Sequence, residues 1–383
     1  MKIYYLANAR LPTEKAHGYQ ICKMCAEFAR AGATVILIAP DRARPGDGDI
    51  FSYYGLERNF TVKLLPLPAY PRLEGWLGPR WPYRLLNWHF LYKLACQTIE
   101  KDAVVYTRQP EIARLFGRRG WRSILEAHSL PIGQGKSFRR ALQHIERFIV
   151  VTRTLGDQLQ TLGVPAEKII WAPDGVDLKI FAQPLNKKTA RSDFGLPLDK
   201  IILGYTGSFR TMGEDKGIGD ILAALAKLDA QYYFAAVGGN EADIKDYKII
   251  AKNLGVSERT AFRARVNLQQ LSRFQQACDI LLMPFPDIRH YREHMSPLKM
   301  FEYMASGRPI IASDLPSIRE ILNESNCLLV KPNDPADLAE KIRLLATDKN
   351  LADRLAVRAQ QDAKQYDWRK RAEKILKFID KTS

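Results

Sequence analysis

Residues 296–313 read SPLKMFEYMASGRPIIAS: a short polar loop, an apolar helical run holding a carboxylate, and a strand apolar along its length. Ser296 and Pro297 are expected to start the helix, because a serine oxygen caps free amides and proline has no amide hydrogen to lose in a first turn. Leu298, Met300, Phe301, Met304 and Ala305 surround Glu302, Gly307 stops the helix, and residues 309–312 read as a strand buried on both faces. A carboxylate in that setting needs a partner or a ligand, since charged side chains are seldom buried alone. The alternative is a half-exposed surface glutamate.

Working outward, short β-rich runs alternate with amphipathic helical stretches along the whole chain, the pattern of parallel sheets flanked by helices. Strands are predicted over 2–8, 33–39, 103–107, 123–127, 148–152 and 168–172, with a helix over 20–31 after the first. A second set is predicted over 201–205, 232–237, 261–265, 280–284, 309–313 and 327–330. The polar stretch 185–200, LNKKTARSDFGLPLDK, carries no strand pattern and reads as a linker. Two α/β domains are therefore expected, 1–190 and 191–365, which suits a chain of 383 residues.

With 46% hydrophobic and 26% charged residues the composition is that of a folded globular chain. The five cysteines form no even framework, which fits a reducing cytoplasm, and Cys22 and Cys25 alone lie close in sequence. The N-terminal MKIYYLANARLPTEK holds too short an apolar run for a secretory signal, and no stretch is long and apolar enough to span a bilayer. The net charge of +16 is uneven. Residues 1–190 hold 28 Lys and Arg against 16 Asp and Glu, whereas residues 191–383 hold 30 against 26. A basic first half suits an acidic partner or simply a solubilising surface.

The first strand-to-helix junction lacks the GxGxxG fingerprint of dinucleotide enzymes. Two other strand ends are richer. Gly204-Tyr205-Thr206-Gly207-Ser208-Phe209-Arg210 leaves a strand through small residues, and Lys216-Gly217 opens the following helix. His128 ends the strand 123–127, at the carboxyl edge where open α/β sheets bind ligands.

The Glu302 segment resembles the signature of the family 4 retaining glycosyltransferases, and the order of elements resembles their GT-B architecture, two Rossmann-like domains with parallel sheets facing across a cleft. The resemblance covers nearly the whole chain. It implies that Glu302 holds the ribose hydroxyls of a nucleotide sugar. The family's first glutamate, which contacts the transferred sugar, falls on His294; the role passes to His294, to neighbouring Glu293, or to backbone amides around Ser296. Lys216, before its glycine, matches the family's phosphate-binding lysine. Arg210 lies two residues beyond the usual arginine position, which holds Ser208. The resemblance further implies donor-binding roles for Gly207, Ser296, Pro297, Leu298, Arg265 and Gly18, and a sugar- or acceptor-binding role for His128. It also implies that residues 366–383, opened by Tyr366-Asp367-Trp368, form a helix crossing back to the first domain.

The expected activity is retaining transfer of a hexose from a nucleotide-diphosphate sugar, UDP-linked in preference to GDP-linked, with no cofactor and no metal. In the front-face mechanism the resemblance implies, the acceptor hydroxyl attacks beside the departing diphosphate, whose oxygen receives the proton, so no protein base is needed. The acceptor is expected to be a glycan or a lipid-linked sugar. Between Tyr70 and Lys101, three tryptophans and other aromatics are interleaved with Arg72, Arg80, Arg84 and Lys93. That composition suits an anionic membrane surface, and equally a core helix packing Leu85, Leu86, Trp88, Phe90 and Leu91. A peripheral place on the inner face of the membrane is thus one expectation. Nucleic acid is the rival partner for the same charge, but no recognised motif supports it. The alternative to an enzyme is a non-catalytic nucleotide-sugar-binding subunit or regulator.

Overall fold

The computed structural model describes residues 1–42, 48–68, 80–131, 135–211 and 213–381. The chain divides into two compact units, the first made of 1–173 and 368–383, the second of 174–367.

The first unit is built on a seven-stranded sheet. Its strands are β1 (Lys2–Leu6), β2 (Thr34–Asp41), β3 (Thr61–Pro66), β4 (Val104–Thr107), β5 (Arg122–Ala127), β6 (Arg147–Val150) and β7 (Ile169–Trp171), in the order β3-β2-β1-β4-β5-β6-β7. All neighbours run parallel, with Ile3 opposite both Val35 and Val104. β1, β4 and β6 are apolar on both faces because helices cover both sides. On one of them Phe90, Leu94, Ile112 and Phe116 pack on Tyr4, Leu6 and Val105. Sequence periodicity missed β3, a half-exposed edge strand whose Lys63 interrupts its apolar run.

The helix Trp368–Asp380 belongs to this unit, where it packs on the helix Ala16–Arg30. Ile375 and Ile379 are buried, and Arg371 reaches the sheet to donate to Pro173 O at 2.7 Å and Ala172 O at 3.0 Å.

The second unit carries β8 (Ile201–Thr206), a two-residue hairpin of β9 (Arg210–Thr211) and β10 (Glu214–Asp215), then β11 (Tyr232–Gly239), β12 (Thr260–Ala264), β13 (Ile280–Met283), β14 (Ile310–Ser313) and β15 (Leu328–Val330). The main sheet has the order β12-β11-β8-β13-β14-β15, again all parallel. Both sheets therefore start in the middle and reverse direction once, the Rossmann-like arrangement. The reversal falls between β1 and β4 in one and between β8 and β13 in the other. In open α/β sheets, loops leaving the carboxyl ends at such a reversal diverge, and ligands bind between them.

The stretch 185–200 is no linker. Asn186 caps a helix, Lys187–Asp193, by accepting from the amides of Lys188 and Thr189. Buried Arg191 in that helix pairs with Asp279, which also binds Lys187 and the Ile202 amide. The change of unit falls earlier than residue 190, after Pro173, because residues 178–193 dock on the helix Leu268–Ala277: Ser272 Oγ donates to Ile180 O and Gln276 Oε1 accepts from the Leu185 amide, both at 2.8 Å.

Candidate functional site

In the second unit the reversal point is built from the loop after β8, the loop after β13, and the helix Leu298–Ala305. β8 ends in Thr206, whose amide donates to Tyr303 Oη at 2.7 Å, fixing that helix against the strand. Gly207 follows with φ of +105°, a conformation that side-chain-bearing residues rarely adopt. The chain then turns through Ser208, whose hydroxyl accepts from Lys216 Nζ at 3.0 Å. Burial lowers the Lys216 pKa to about 8, and the charge of Arg265, just past the end of β12, adds to the effect.

The helix Ile218–Ala226 begins here, but its first amides are already taken. Asp215 accepts from the amides of Gly217, Ile218 and Gly219, each at 2.9 Å. Asp215 thus occupies the helix start, and cationic side chains rather than helix amides supply the positive potential. Arg210 is turned the other way. Its guanidinium lies 2.7 Å from Asp246 and 3.6 Å from Asp243, over the ring of Tyr247.

Glu302 is buried, as its apolar neighbours suggested, and its partner is Gln275, whose amide donates to Oε2 at 3.3 Å. Burial raises the Glu302 pKa to about 7, against the pull of Gln275 and of the Lys299 charge. Lys299 lies one turn before Glu302. It is 7% exposed, and its Nζ has no hydrogen-bond partner among the described residues but sits 3.5 Å from the Tyr205 ring centroid. Sequence reading passed over Lys299, although the signal was the one that flagged Glu302, a charge within an apolar helical run.

The start of this helix differs from expectation. It begins at Leu298 with Pro297 as N-cap and no side-chain capping bond, because the Ser296 hydroxyl instead accepts from the Asp174 amide at 2.9 Å. His294 is largely buried 3.7 Å from Glu293, whose carboxylate also takes Arg289 at 3.1 Å. Burial lowers the pKa of both His294 and His290, with the charge of Lys216 adding to the effect on His290.

In the first unit a cavity of about 450 Å³ opens at the reversal point between β1 and β4, lined by Arg10, Lys15, His17, Arg108 and His128 among others. Burial, then the charges of Arg108, Lys15 and His128, lower the His17 pKa to about 4, so the cavity repels added positive charge. His128 Nε2 lies 2.8 Å from Glu126 Oε1. Glu126, fully buried, also accepts from Gln20 at 2.6 Å, Tyr106 at 2.5 Å and Arg371 at 2.8 Å. Burial alone would raise its pKa, but Arg371 and His128 hold it well below the usual carboxylate range. Gly18 is not in the loop where the sequence placed it. The helix starts at Ala16, and a Cβ on Gly18 would stand 2.3 Å from Tyr54 Oη, so packing requires the glycine.

Two family models match the chain, one to each half, and meet between residues 180 and 186. "Glycosyltransferase Family 4" matches residues 18–180 and "Glycosyl transferases group 1" matches residues 186–362. The chain belongs to the family 4, group 1 glycosyl transferases. Among curated relatives, it is 25% identical over 229 residues to a D-inositol 3-phosphate glycosyltransferase of Xylanimonas cellulosilytica, covering 57% of this chain and 53% of the relative. It is 26% identical over 250 residues to an N,N'-diacetylbacillosaminyl-diphospho-undecaprenol alpha-1,3-N-acetylgalactosaminyltransferase of Campylobacter jejuni, covering 64% and 62%. The matches thus span little more than half the length of those proteins. Among solved structures, Anabaena HepE in complex with UDP and glucose superposes with a TM-score of 0.75 at 19% identity, and the lipopolysaccharide glycosyltransferase WaaG with 0.69 at 16%. The first match covers 100% of both chains, the second 99% of this chain and 100% of WaaG. The fold is GT-B.

Proposed function

We propose that this chain is a glycosyltransferase that moves a hexose, with retention and without a metal, from a nucleotide-diphosphate sugar to a hydroxyl acceptor. The observation that carries the reading is the gathering of Lys216, Lys299 and Glu302 at the reversal point of the second sheet. Breaking the bond from anomeric carbon to diphosphate builds negative charge on the leaving phosphate, and preorganised cations there stabilise it by ~3–4 kcal/mol per well-placed donor. Glu302, at the ribose position of the family signature, is a binding group rather than an acid–base catalyst. As the acceptor oxygen bonds to the anomeric carbon, the diphosphate leaves and takes the acceptor proton.

UDP is the favoured donor nucleotide, in keeping with the UDP and UDP-glucose complexes of HepE. The basic cavity of the first unit suits an acceptor that carries phosphate, as the names of both curated relatives do. A lipid-linked acceptor also suits the exposed aromatic pair Trp88 and Tyr92, 69% and 59% exposed with stacked rings. On this reading the protein sits at the cytoplasmic face as a peripheral partner; no helix among the described residues is long and apolar enough to cross a membrane. The rest of the aromatic segment, 69–79, lies outside the described residues.

Arg210 facing Asp246 and His294 standing for the first glutamate favour a second reading, a nucleotide-sugar-binding subunit without turnover. Donor hydrolysis separates the two. A catalyst slowly releases nucleoside diphosphate from its donor, in excess EDTA as well as without it, and forms an axial product from an axial donor; binding without release supports the subunit, and an inverted product sinks the retaining mechanism.

A further inference from the structure

Lys299 is the most anomalous charged group in the second unit. An ammonium taken out of water is expensive unless it is paired and hydrogen-bonded, yet this one has no acceptor among the described residues. Its surroundings are the Tyr205 ring at 3.5 Å, the Phe285 ring at 5.3 Å, and the backbone of Gly207, where a Cβ would come within 3.4 Å of Nζ. Aromatic faces attract a cation by a fraction of what a carboxylate would, so they do not replace the lost water. Two further charges bear on it: Lys216, which opposes its protonation, and Glu302, which favours it. Burial and Lys216 together hold the amine well below the usual lysine range.

A core role does not require this chemistry, since a methionine or leucine fills the same volume without the penalty. The arrangement instead suits a cation placed to meet an anion. Lys299 and Lys216 come from two different elements, the helix after β13 and the loop after β8, and both line the Gly207 turn: one lies beneath the glycine, the other bonds Ser208 next to it. Arg210, the other cation of this loop, is committed to Asp246 and Asp243.

We propose that Lys299 is a further donor-binding residue of this site, its ammonium taking a phosphate oxygen of the nucleotide-diphosphate donor over the Gly207 turn, beside Lys216. The proposal rests on the nucleotide-sugar reading above. In the donor complex the leaving diphosphate is then held by two lysines, Lys299 supplying the positive charge that Arg210 gives to the acids of the helix Glu241–Asn253.

The test is calorimetric titration of the full chain with UDP, GDP and ADP, then of Lys299→Met with the diphosphate that binds and with its parent nucleoside. The variant is expected to bind the diphosphate at least tenfold more weakly, about 1.4 kcal/mol. Nucleoside affinity should stay within a factor of two, and the ligand-free melting temperature should be unchanged or higher. Undiminished diphosphate affinity would overturn the proposal while leaving the nucleotide-sugar reading in place. So would a lower ligand-free melting temperature, which would assign Lys299 to the core. Wild-type protein that binds none of the three diphosphates would overturn the nucleotide-sugar reading, and the proposal with it.

Discussion

Arg371 Nη2 donates to Glu126 Oε1 at 2.8 Å, with the two side chains only 3% and 0% exposed, and so ties the C-terminal helix to β5, the strand that His128 follows. A buried pair of this kind is weak evidence of net stabilisation, but removing one partner strands the other charge in a medium that solvates it poorly.

Arg371→Met is therefore expected to lower the unfolding free energy by ~3–5 kcal/mol, with the added loss of the bonds to Pro173 and Ala172. Denaturant unfolding measures it. Because Glu126 is the stranded group, Arg371→Met with Glu126→Gln should cost less than the two single changes summed, a coupling that an independent pair of sites would not show.

Glu302 makes stability depend on pH with a definite sign. Its pKa rises from 4.5 to about 7 on folding, through burial, so the folded chain keeps a proton that the unfolded chain releases. The contribution is complete below the unfolded pKa and is lost as pH rises through about 7, a span of roughly 3 kcal/mol. Glu302→Gln should remove that slope, so that its stability relative to wild type improves between about pH 5 and pH 8. Parallel pH profiles of the two proteins, flat in their difference, would contradict the assignment.

The two cations of the loop after β8 should separate kinetically. Lys216 bonds a serine hydroxyl and no carboxylate among the described residues, whereas Arg210 already faces two carboxylates. Lys216→Ala is expected to cut donor hydrolysis and sugar transfer by about a hundredfold or more. Arg210→Ala should cut them by roughly tenfold or less, as befits a group whose charge is largely spent on its own ion pairs. Equal losses in initial-rate assays would show that Arg210 swings to the donor.

Trp88 and Tyr92 lie on the water-exposed side of the helix Arg80–Ala95, whose Phe90 and Leu94 face the core. Tryptophan and tyrosine prefer the lipid headgroup zone. The Trp88→Ala, Tyr92→Ala double variant is expected to co-sediment several-fold less with phosphatidylserine-containing vesicles at low salt, with no loss of thermal stability. An unaltered bound fraction would remove this face from the membrane reading.

Most strands were legible from the sequence because a strand buried by helices on both faces must be largely apolar, as β4, β6, β13 and β14, buried along their whole length, are. Where that condition fails, so did the reading. β3 is half exposed, and the hairpin β9–β10 consists of Arg210, Thr211, Glu214 and Asp215, polar residues whose extended form is set by pairing with each other. The stretch 185–200 looked like a linker because its helix is short and polar, and Arg191 is buried only through Asp279, far along the chain.

The sequence by itself determined the two parallel sheets, the buried carboxylate at Glu302, and the strand ends that carry the loops of the candidate site, since burial and periodicity are written locally in residue type. Tertiary structure decided which charges are spoken for. Asp215 closes the helix that follows it, Arg210 is drawn to Asp246, Glu126 collects Gln20, Tyr106, His128 and Arg371, and the Lys299 ammonium lies against the Tyr205 and Phe285 rings. The energy of a charge depends on what lies within a few ångströms of it, and those neighbours come from distant parts of the chain that meet only when it folds.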